Sequence, residues 1–289
     1  MIDVLVIGKG PAGVSAGIYA KRAGLNTMIV AKDNGALKTA HMVENYYGFI
    51  EPISGNDLID NGIRQAQRLG IKTVDTEVLT IDYNENYIVH TADEIYEAKS
   101  IILATGSPRQ MPMIKGLKEF EGKGVSYCAV CDAFFYRNKD VAVLGCCDYA
   151  MHEASELIDI AKSVTIITNG VKPQGQIPEG AIIVENTIDA VIGDELVQKV
   201  IYKDGTSLAI DGLFIAYGVA GSTDFAKKMG VLVDNNKIIV DENMATNLPG
   251  LYAAGDCIGG IYQIAKAVND GVIAGMSASK YVKKLNQIK

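Results

Sequence analysis

The sequence predicts an α/β protein with parallel sheets, because one order of strand, turn and helix occurs twice along the chain. Residues 3–7 form a nearly continuous apolar run of the kind that is buried on both faces of a parallel sheet. A glycine-rich turn follows, then a helical pattern over residues 11–23 and a second strand at 27–31. Residues 140–168 repeat this order, so we expect two α/β units.

Length and composition fit a globular protein of two domains. The chain has 289 residues, of which 48% are hydrophobic and 21% charged, and it contains no apolar run near 18 residues, which disfavours a membrane span. The start of the chain lacks an export signal, so we expect a cytoplasmic protein. The net charge of -7 disfavours nucleic acid as a partner. Pro108 and Pro112 suggest a domain boundary near residue 112.

The first glycine turn matches the dinucleotide-binding pattern G-x-G-x-x-G. It lies between a strand and a helix, where free N–H groups at the helix start can hold a pyrophosphate. This context, rather than the hexapeptide alone, indicates dinucleotide binding. The residues that we expect to contact the ligand are Gly8, Gly10, Pro11, Ala12 and Gly13.

The ends of other strands supply further candidate cofactor contacts. Asp33 lies about 20 residues past the last glycine, near the place of an acid that binds a ribose hydroxyl, although it stands beyond the strand end. A buried run ends in Ala104-Thr105-Gly106. A short apolar strand ends in Gly255-Asp256, before a long helix over about residues 260–284. Asp256 is placed to hold sugar hydroxyls; the alternative is that it caps the next helix.

The segment Cys128-Ala129-Val130-Cys131-Asp132 indicates thiol–disulfide chemistry. Two thiols at this spacing can close a small disulfide ring, and the following carboxylate can carry the proton that exchange requires. The alternative, a structural zinc site, requires a second pair of ligands. Cys146 and Cys147 are adjacent, Cys257 is isolated and only three histidines exist, so we predict no metal site. We expect Cys146 and Cys147 to be packing residues, since adjacent cysteines rarely bond to each other.

With these motifs placed, the whole chain resembles the low-molecular-weight thioredoxin reductases. The similarity lies in the first glycine turn, Val43-Glu44-Asn45, Ala104-Thr105-Gly106, the cysteine pair with Asp132, Phe134-Phe135, and Ala253-Ala254-Gly255-Asp256 followed by Gln263. This resemblance implies two Rossmann-like, three-layer ββα domains of the two-dinucleotide-binding-domain flavoprotein type, the second inserted in the first. The FAD domain would comprise residues 1–111 and 242–289, and the inserted domain 112–241 would carry the cysteines. The resemblance also implies a homodimer and adds Asn45 and Gln263 to the FAD contacts.

The same resemblance implies a role for each residue of the redox motif. Cys131 would lie against the flavin, Cys128 would attack the disulfide of thioredoxin, and Asp132 would donate or accept the proton.

The chain departs from this family at the second glycine turn, where the family binds NADPH. Cys146 and Cys147 replace glycines at positions where backbone must approach a pyrophosphate. The arginines that the family uses to bind the 2′-phosphate are also absent from residues 167–171. Loss of such a charged contact costs about 1.5–3 kcal/mol, or roughly tenfold or more in affinity. The sequence therefore disfavours NADPH as the donor.

These departures favour the ferredoxin-dependent flavin thioredoxin reductases, which keep the flavin and the disulfide without a nicotinamide site. Three other interpretations remain open. The protein could be a dithiol oxidase that passes electrons through FAD to oxygen, an NADPH thioredoxin reductase with an atypical site, or a flavin-bound regulatory protein without turnover. Identifying the electron donor would distinguish them.

Overall fold

A computed structural model describes residues 1–107 and 112–288 of the chain. The chain divides into two compact units, one formed by Met1–Pro108 with Gly221–Lys289 and the other by Arg109–Ala220. Within the described ranges, no helix is long and apolar enough to cross a membrane.

The N-terminal part of the first unit contains six strands and two helices. In chain order they are β1 (Ile2–Ile7), α1 (Pro11–Arg22), β2 (Thr27–Ala31), α2 (Gly55–Arg68), β3 (Lys72–Asp75), β4 (Val78–Asn84), β5 (Asn86–Thr91) and β6 (Ile95–Leu103).

The described part of the second unit, from residue 112 on, contains eight strands and two α-helices. They are β7 (Val125–Ser126), α3 (Ala129–Asp132), β8 (Asp140–Leu144), α4 (Asp148–Ile158), β9 (Ser163–Ile167), β10 (Ala181–Val184), β11 (Ile188–Gly193), β12 (Val197–Tyr202), β13 (Ser207–Ala209) and β14 (Gly212–Ile215).

The C-terminal part of the first unit contains three short strands and two helices. They are α5 (Ser222–Lys228), β15 (Val233–Asp234), β16 (Lys237–Ile238), β17 (Leu251–Ala253) and α6 (Ile264–Ile288).

The sheet of the first unit has the strand order β3-β2-β1-β6-β5-β4, with β17 also paired to β6. Strands β3, β2, β1, β6 and β17 run parallel, and β4 and β5 add an antiparallel hairpin. Helices α1 and α6 pack closely because Gly271 lies against the carbonyl of Ala12 and Gly275 against that of Ala16. Their apolar residues and those of β1 and β2 form one core, which holds the first glycine turn in place.

The second unit has a parallel sheet in the order β10-β9-β8-β14-β7 and a separate antiparallel sheet of β11, β12 and β13. Strand β8 is buried from Val141 to Leu144, as its apolar run predicts. The predicted α/β class with two parallel-sheet units is confirmed.

The compact units and the domain boundaries expected from the sequence differ at one end. The second unit ends at residue 220, whereas the sequence analysis places the end of the inserted domain at 241. Residues 221–241 join the first unit through hydrogen bonds: the Ser222 backbone N–H donates to Thr105 Oγ1 at 2.7 Å, and the Leu232 N–H donates to Asn247 Oδ1 at 2.9 Å.

Candidate functional site

The first glycine turn packs against the end of strand β6. Gly8 has φ +116°, and a Cβ atom at this position would lie 2.1 Å from the Ala104 carbonyl oxygen. A Cβ at Gly13 would lie 1.9 Å from the carbonyl oxygen of Gly8. Both positions therefore require glycine, and their close contacts bring the start of α1 up to the strand ends.

Above this turn the start of α1 is open. Gly10 precedes the helix without a side-chain cap, and Pro11 occupies its first turn. A Cβ at Gly10 would meet no atom within 4 Å, in contrast to Gly8 and Gly13. The helix N-terminus, with Ala12 in its first turn, therefore faces a space that a pyrophosphate can enter.

The fold brings Asn45 and Gln263 together, although they lie 218 residues apart. Asn45 Nδ2 donates a hydrogen bond to Gln263 Oε1 at 3.0 Å. Both residues are exposed, so their remaining polar atoms are accessible to a ligand.

The candidates at the other strand ends are joined by hydrogen bonds between distant segments of the first unit. Ser107 Oγ donates to Asp256 Oδ2 at 3.2 Å, and the Thr105 N–H donates to Ser222 Oγ at 3.1 Å. Gly106 follows Thr105 with φ +83° and has no atom within 4 Å of its would-be Cβ. Asp256 lies in a short 3₁₀ turn after β17.

A buried ion pair on α6 supports Gly255, and sequence analysis missed it. Lys266 Nζ lies 2.7 Å from Asp270 Oδ2, and Asp270 is 4% exposed. The Gly255 N–H donates to Asp270 at 3.2 Å, and Lys266 donates to the Gly255 carbonyl at 2.9 Å. The signal available in the sequence was a Lys and an Asp four residues apart on a helix, which is more often a solvent-exposed pair.

Asp33 has a local role in the structure. The exposed carboxylate accepts a hydrogen bond from the Gly35 N–H at 2.7 Å and lies 3.5 Å from Lys38 Nζ. The buried carboxylate near this strand end is instead Glu77, which forms an ion pair with Lys32. Sequence analysis missed Glu77 because it lies between β3 and β4, not after the second strand, where the usual pattern has the acid.

In the second unit, Cys128 and Cys131 form a disulfide bond. Cys128 is the residue before α3, and the Cys131 N–H donates to its sulfur at 3.1 Å. Cys128 is 7% exposed and Cys131 is exposed. Shortly after Cys131 in the chain come two apolar side chains with high exposure, 73% for Phe134 and 68% for Phe135.

Two further side chains that sequence analysis missed hold the redox motif. The buried Ser126 hydroxyl donates to Asp132 Oδ2 at 2.6 Å and accepts from the Cys128 N–H at 3.1 Å. Glu153 of α4, which is 1% exposed, accepts a hydrogen bond from the Ala129 N–H at 2.9 Å. Ser126 therefore fixes the carboxylate of Asp132 relative to the disulfide.

The second glycine turn repeats the geometry of the first at only one position. A Cβ at Gly145 would lie 2.2 Å from the Ala216 carbonyl oxygen, as at Gly8. The next two positions carry the side chains of Cys146 and Cys147, whose sulfurs are 3.5 Å apart.

The loop after β9 covers this second turn. The Gln174 N–H donates to the Cys146 carbonyl at 2.6 Å. A Cβ at Gly175 would lie 2.3 Å from Asp148 Oδ1, so this loop is packed against the carboxylate in the first turn of α4. A negative carboxylate and a covering loop therefore occupy the helix start that would face an anionic pyrophosphate.

Strand β9 ends in a turn rather than in a cationic cluster. Asn169 has φ +57° and its side-chain oxygen accepts from the Ile188 N–H at 2.8 Å. The side chain of Thr168 is buried. These residues connect β9 to the following sheet and present no positive charge.

The profile of the family described as pyridine nucleotide-disulphide oxidoreductase matches residues 2–271. The thioredoxin reductase of Listeria innocua is 36% identical to the chain over 99% of its length and 95% of the relative's. The chain belongs to the thioredoxin reductase family. It is therefore a flavin-dependent disulfide oxidoreductase, as the sequence analysis predicts.

Solved structures of thioredoxin reductases share this fold. The atypical thioredoxin reductase TRi from Desulfovibrio vulgaris Hildenborough is 37% identical, with a TM-score of 0.93 over 98% of this chain and 99% of that chain. A ferredoxin-flavin thioredoxin reductase from Clostridium acetobutylicum is 33% identical, with a TM-score of 0.74 over 99% and 98% of the two chains.

FAD is the cofactor of thioredoxin reductases, and the first unit fits it. The open space over Gly10 and the start of α1 suits an anionic pyrophosphate. Near the same strand ends, burial raises the pKa of the Cys257 thiol to about 11, because the enclosed sulfur would lose the solvation of its charged form. The thiol donates to the carbonyls of Leu103 and Ala254. Cys257 is therefore a neutral packing residue of this unit at physiological pH.

Proposed function

We propose that this chain reduces the disulfide of thioredoxin with electrons that come from ferredoxin rather than from NADPH. The electrons pass through FAD to the Cys128–Cys131 disulfide. The observation that carries the choice of donor is the second glycine turn, where the sulfurs of Cys146 and Cys147 and the loop at Gln174 take the place of a pyrophosphate.

The likeness to a ferredoxin-flavin thioredoxin reductase supports this donor. The family description names a pyridine nucleotide, but this chain differs at the residues that would bind one. The turn lacks the space, and residues 167–171 lack the cations, that a nicotinamide dinucleotide phosphate requires.

The residues proposed to hold FAD come from both parts of the first unit. The residues proposed to contact its pyrophosphate and sugars are Gly8, Gly10, Pro11, Ala12, Gly13, Asp33 and Asp256. The residues proposed to lie nearer the flavin ring are Asn45, Ala104, Thr105, Gly106, Gly255 and Gln263. When bound, FAD supplies the capacity to take up single electrons and deliver a pair.

The dithiol of Cys128 and Cys131 carries out the exchange in two balanced steps. The Cys128 thiolate attacks one sulfur of the thioredoxin disulfide, so that a mixed disulfide forms and one thioredoxin thiolate leaves. The Cys131 thiolate then attacks Cys128, which restores the Cys128–Cys131 bond and releases the second thioredoxin sulfur. Asp132 delivers protons to the departing thiolates, and its hydrogen bond from Ser126 holds the carboxylate in place.

Anaerobic stopped-flow reduction of the holoenzyme tests the donor. Reduced ferredoxin should bleach the flavin absorbance rapidly, with two ferredoxins consumed for each thioredoxin disulfide, whereas millimolar NADPH should not. A rate with ferredoxin that falls as salt rises would indicate docking on a local basic patch of this acidic chain, because attraction between opposite charges is screened over about 8 Å at physiological ionic strength.

Two outcomes would contradict the proposal. Rapid bleaching by NADPH would show that the second turn binds the nucleotide in spite of its cysteines. Fast reoxidation by air, with a dithiol consumed and no response to ferredoxin, would favour a dithiol oxidase.

We also propose that the enzyme is a homodimer, as its resemblance to the family implies. Sedimentation equilibrium of the holoenzyme over a concentration series measures this directly. A monomer at every concentration would remove the dimer from the proposal without affecting the assignment of the donor.

A further inference from the structure

The second glycine turn contains a pair of cysteines that the proposed reduction of thioredoxin does not use. Their sulfurs lie 3.5 Å apart, and Cys147 Sγ lies 3.8 Å from Gln174 Oε1. Cys146 and Cys147 are both partly exposed and unoxidised. The Cys147 thiol can donate to the amide oxygen of Gln174 while the Cys146 thiol donates to Cys147, so both sulfurs are held side by side as thiols.

The backbone does not favour a disulfide between these two cysteines. Adjacent Cα atoms are about 3.8 Å apart, which is below the range of about 4.4–6.8 Å that disulfides occupy. The hydrogen bond from the Gln174 N–H to the Cys146 carbonyl and the extended backbone of Cys147, with φ -106° and ψ 178°, also hold the turn in place. The two cysteines therefore remain thiols rather than a disulfide.

The separation of the sulfurs suits a single bridging atom. Two thiolates that bind one tetrahedral ion at about 2.3 Å each stand about 3.8 Å apart, close to the observed distance. Among the described residues, no group of three or more His, Cys, Asp or Glu side chains could hold a metal ion. A ligand here must therefore be satisfied by two sulfurs, which points to a soft, thiophilic centre rather than to zinc with four protein ligands.

We propose that Cys146 and Cys147 form a second dithiol site, which binds a thiophilic metalloid through both sulfurs. With a trivalent arsenical of the form R–As=O, two As–S bonds form and the oxygen leaves as water with the two thiol protons. No electrons are transferred, so the reaction requires neither an oxidant nor the electron donor of the enzyme. This inference rests on the proposed function, in which the second glycine turn no longer binds a nucleotide. The same turn would then bind a different ligand.

The oxidised holoenzyme allows this site to be tested alone. The Cys128–Cys131 disulfide does not react with an arsenical, and Cys257 is only 1% exposed. Titration with phenylarsine oxide should give one bound phenylarsenic group per chain by intact mass, with two thiols lost to a thiol reagent. A dithiol such as dimercaptopropanol should reverse the binding, whereas a monothiol at the same concentration should not.

Cysteine-to-serine variants and a titration with zinc test whether both sulfurs bind the ligand. Cys146→Ser and Cys147→Ser should each reduce the affinity at least 100-fold, and Cys257→Ser should bind like the unmodified protein. Unchanged binding in either of the first two variants would overturn the proposal. A mass of untreated protein four hydrogens below that of the fully reduced chain would also overturn it, because the Cys128–Cys131 disulfide accounts for two and a bond between Cys146 and Cys147 would account for the others. Zinc at micromolar concentration should not bind, and tight zinc binding would show a four-ligand site instead. None of these readouts depends on thioredoxin or ferredoxin.

Discussion

The position of Asp132 depends on one hydroxyl group. Ser126 donates to its carboxylate at 2.6 Å and accepts from the N–H of Cys128 at 3.1 Å, so the acid and the backbone of the first cysteine share one anchor. Ser126 is 6% exposed, and bulk water therefore has little access to this bridge. A proton can be held close to the disulfide while the exchange proceeds.

Asp132→Asn should slow the reduction of thioredoxin by prereduced enzyme about 10²–10⁴-fold, which is the usual contribution of a positioned acid or base. Ser126→Ala should have a smaller effect and should change the pH dependence, because the carboxylate remains but loses its anchor. Single-turnover rates across pH, at matched FAD content, measure both effects. If Asp132→Asn kept the rate and the pH profile of the unmodified enzyme, Asp132 would have no part in proton transfer.

The buried thiol of Cys257 predicts a dependence of stability on pH. Burial raises its pKa from an ordinary value of 9.0 to about 11, so the folded state keeps the neutral thiol. The associated stability is fully present below about pH 9 and is lost as the pH rises through about 11. In urea unfolding, the unmodified protein should lose more stability between about pH 8 and pH 10 than Cys257→Ala. Equal losses in the two proteins would contradict this effect of Cys257.

At the scale of elements, two glycines of the first turn have different roles, one in packing and one in leaving space for a ligand. Gly8 has backbone within 2.1 Å of its would-be Cβ, whereas Gly10 has open space and an ordinary φ of -75°. The first glycine serves the packing of the turn on β6. The second leaves room over the start of α1.

Gly10→Ala should fold normally and lose affinity for FAD, because its methyl group enters the space proposed for the pyrophosphate. Gly8→Ala should instead lower the stability of the apoprotein by more than the roughly 1–2 kcal/mol that a left-handed backbone alone costs a residue with a side chain. Gly24→Ala is the matched control, since Gly24 has φ +86° and no neighbour within 4 Å. Thermal unfolding of the apoproteins and fluorescence titration with FAD measure the two effects. Unchanged FAD affinity in Gly10→Ala would place the pyrophosphate elsewhere.

Considered as a whole, the molecule carries a turn suited to a dinucleotide in one unit and a filled turn in the other. This difference is the basis of the proposal that the enzyme uses only one dinucleotide. On this proposal a single substitution should not restore the second site, because the Gln174 loop and the absence of arginine at residues 167–171 would not both be removed.

NADPH at millimolar concentration should therefore leave amide hydrogen exchange unchanged over residues 140–170. The double variant Cys146→Gly with Cys147→Gly should still not be reduced by NADPH, since the Gln174 loop and the absence of arginine at residues 167–171 remain. Hydrogen exchange followed by mass spectrometry, with anaerobic reduction assays, tests both statements. Protection of this segment by NADPH in the unmodified protein would contradict the assignment of the second turn.

Several elements followed from local patterns in the sequence. The helix predicted over 11–23 is found at Pro11–Arg22, and the long helix predicted from about residue 260 begins at Ile264. The apolar run before Gly255-Asp256 forms β17. These elements are predictable because backbone hydrogen bonding and the burial of one face depend on residues that are close in the chain.

Sequence patterns therefore account for the α/β class, the two glycine turns, the spacing of the redox cysteines and the missing arginines. Only the tertiary structure joined Asn45 to Gln263, placed Lys266 and Asp270 under Gly255, anchored Asp132 through Ser126 and closed the Gln174 loop over Cys146. It also assigned residues 221–241 to the first unit. Such contacts depend on the path that the chain takes between distant segments, and no local periodicity of a single sequence encodes that path.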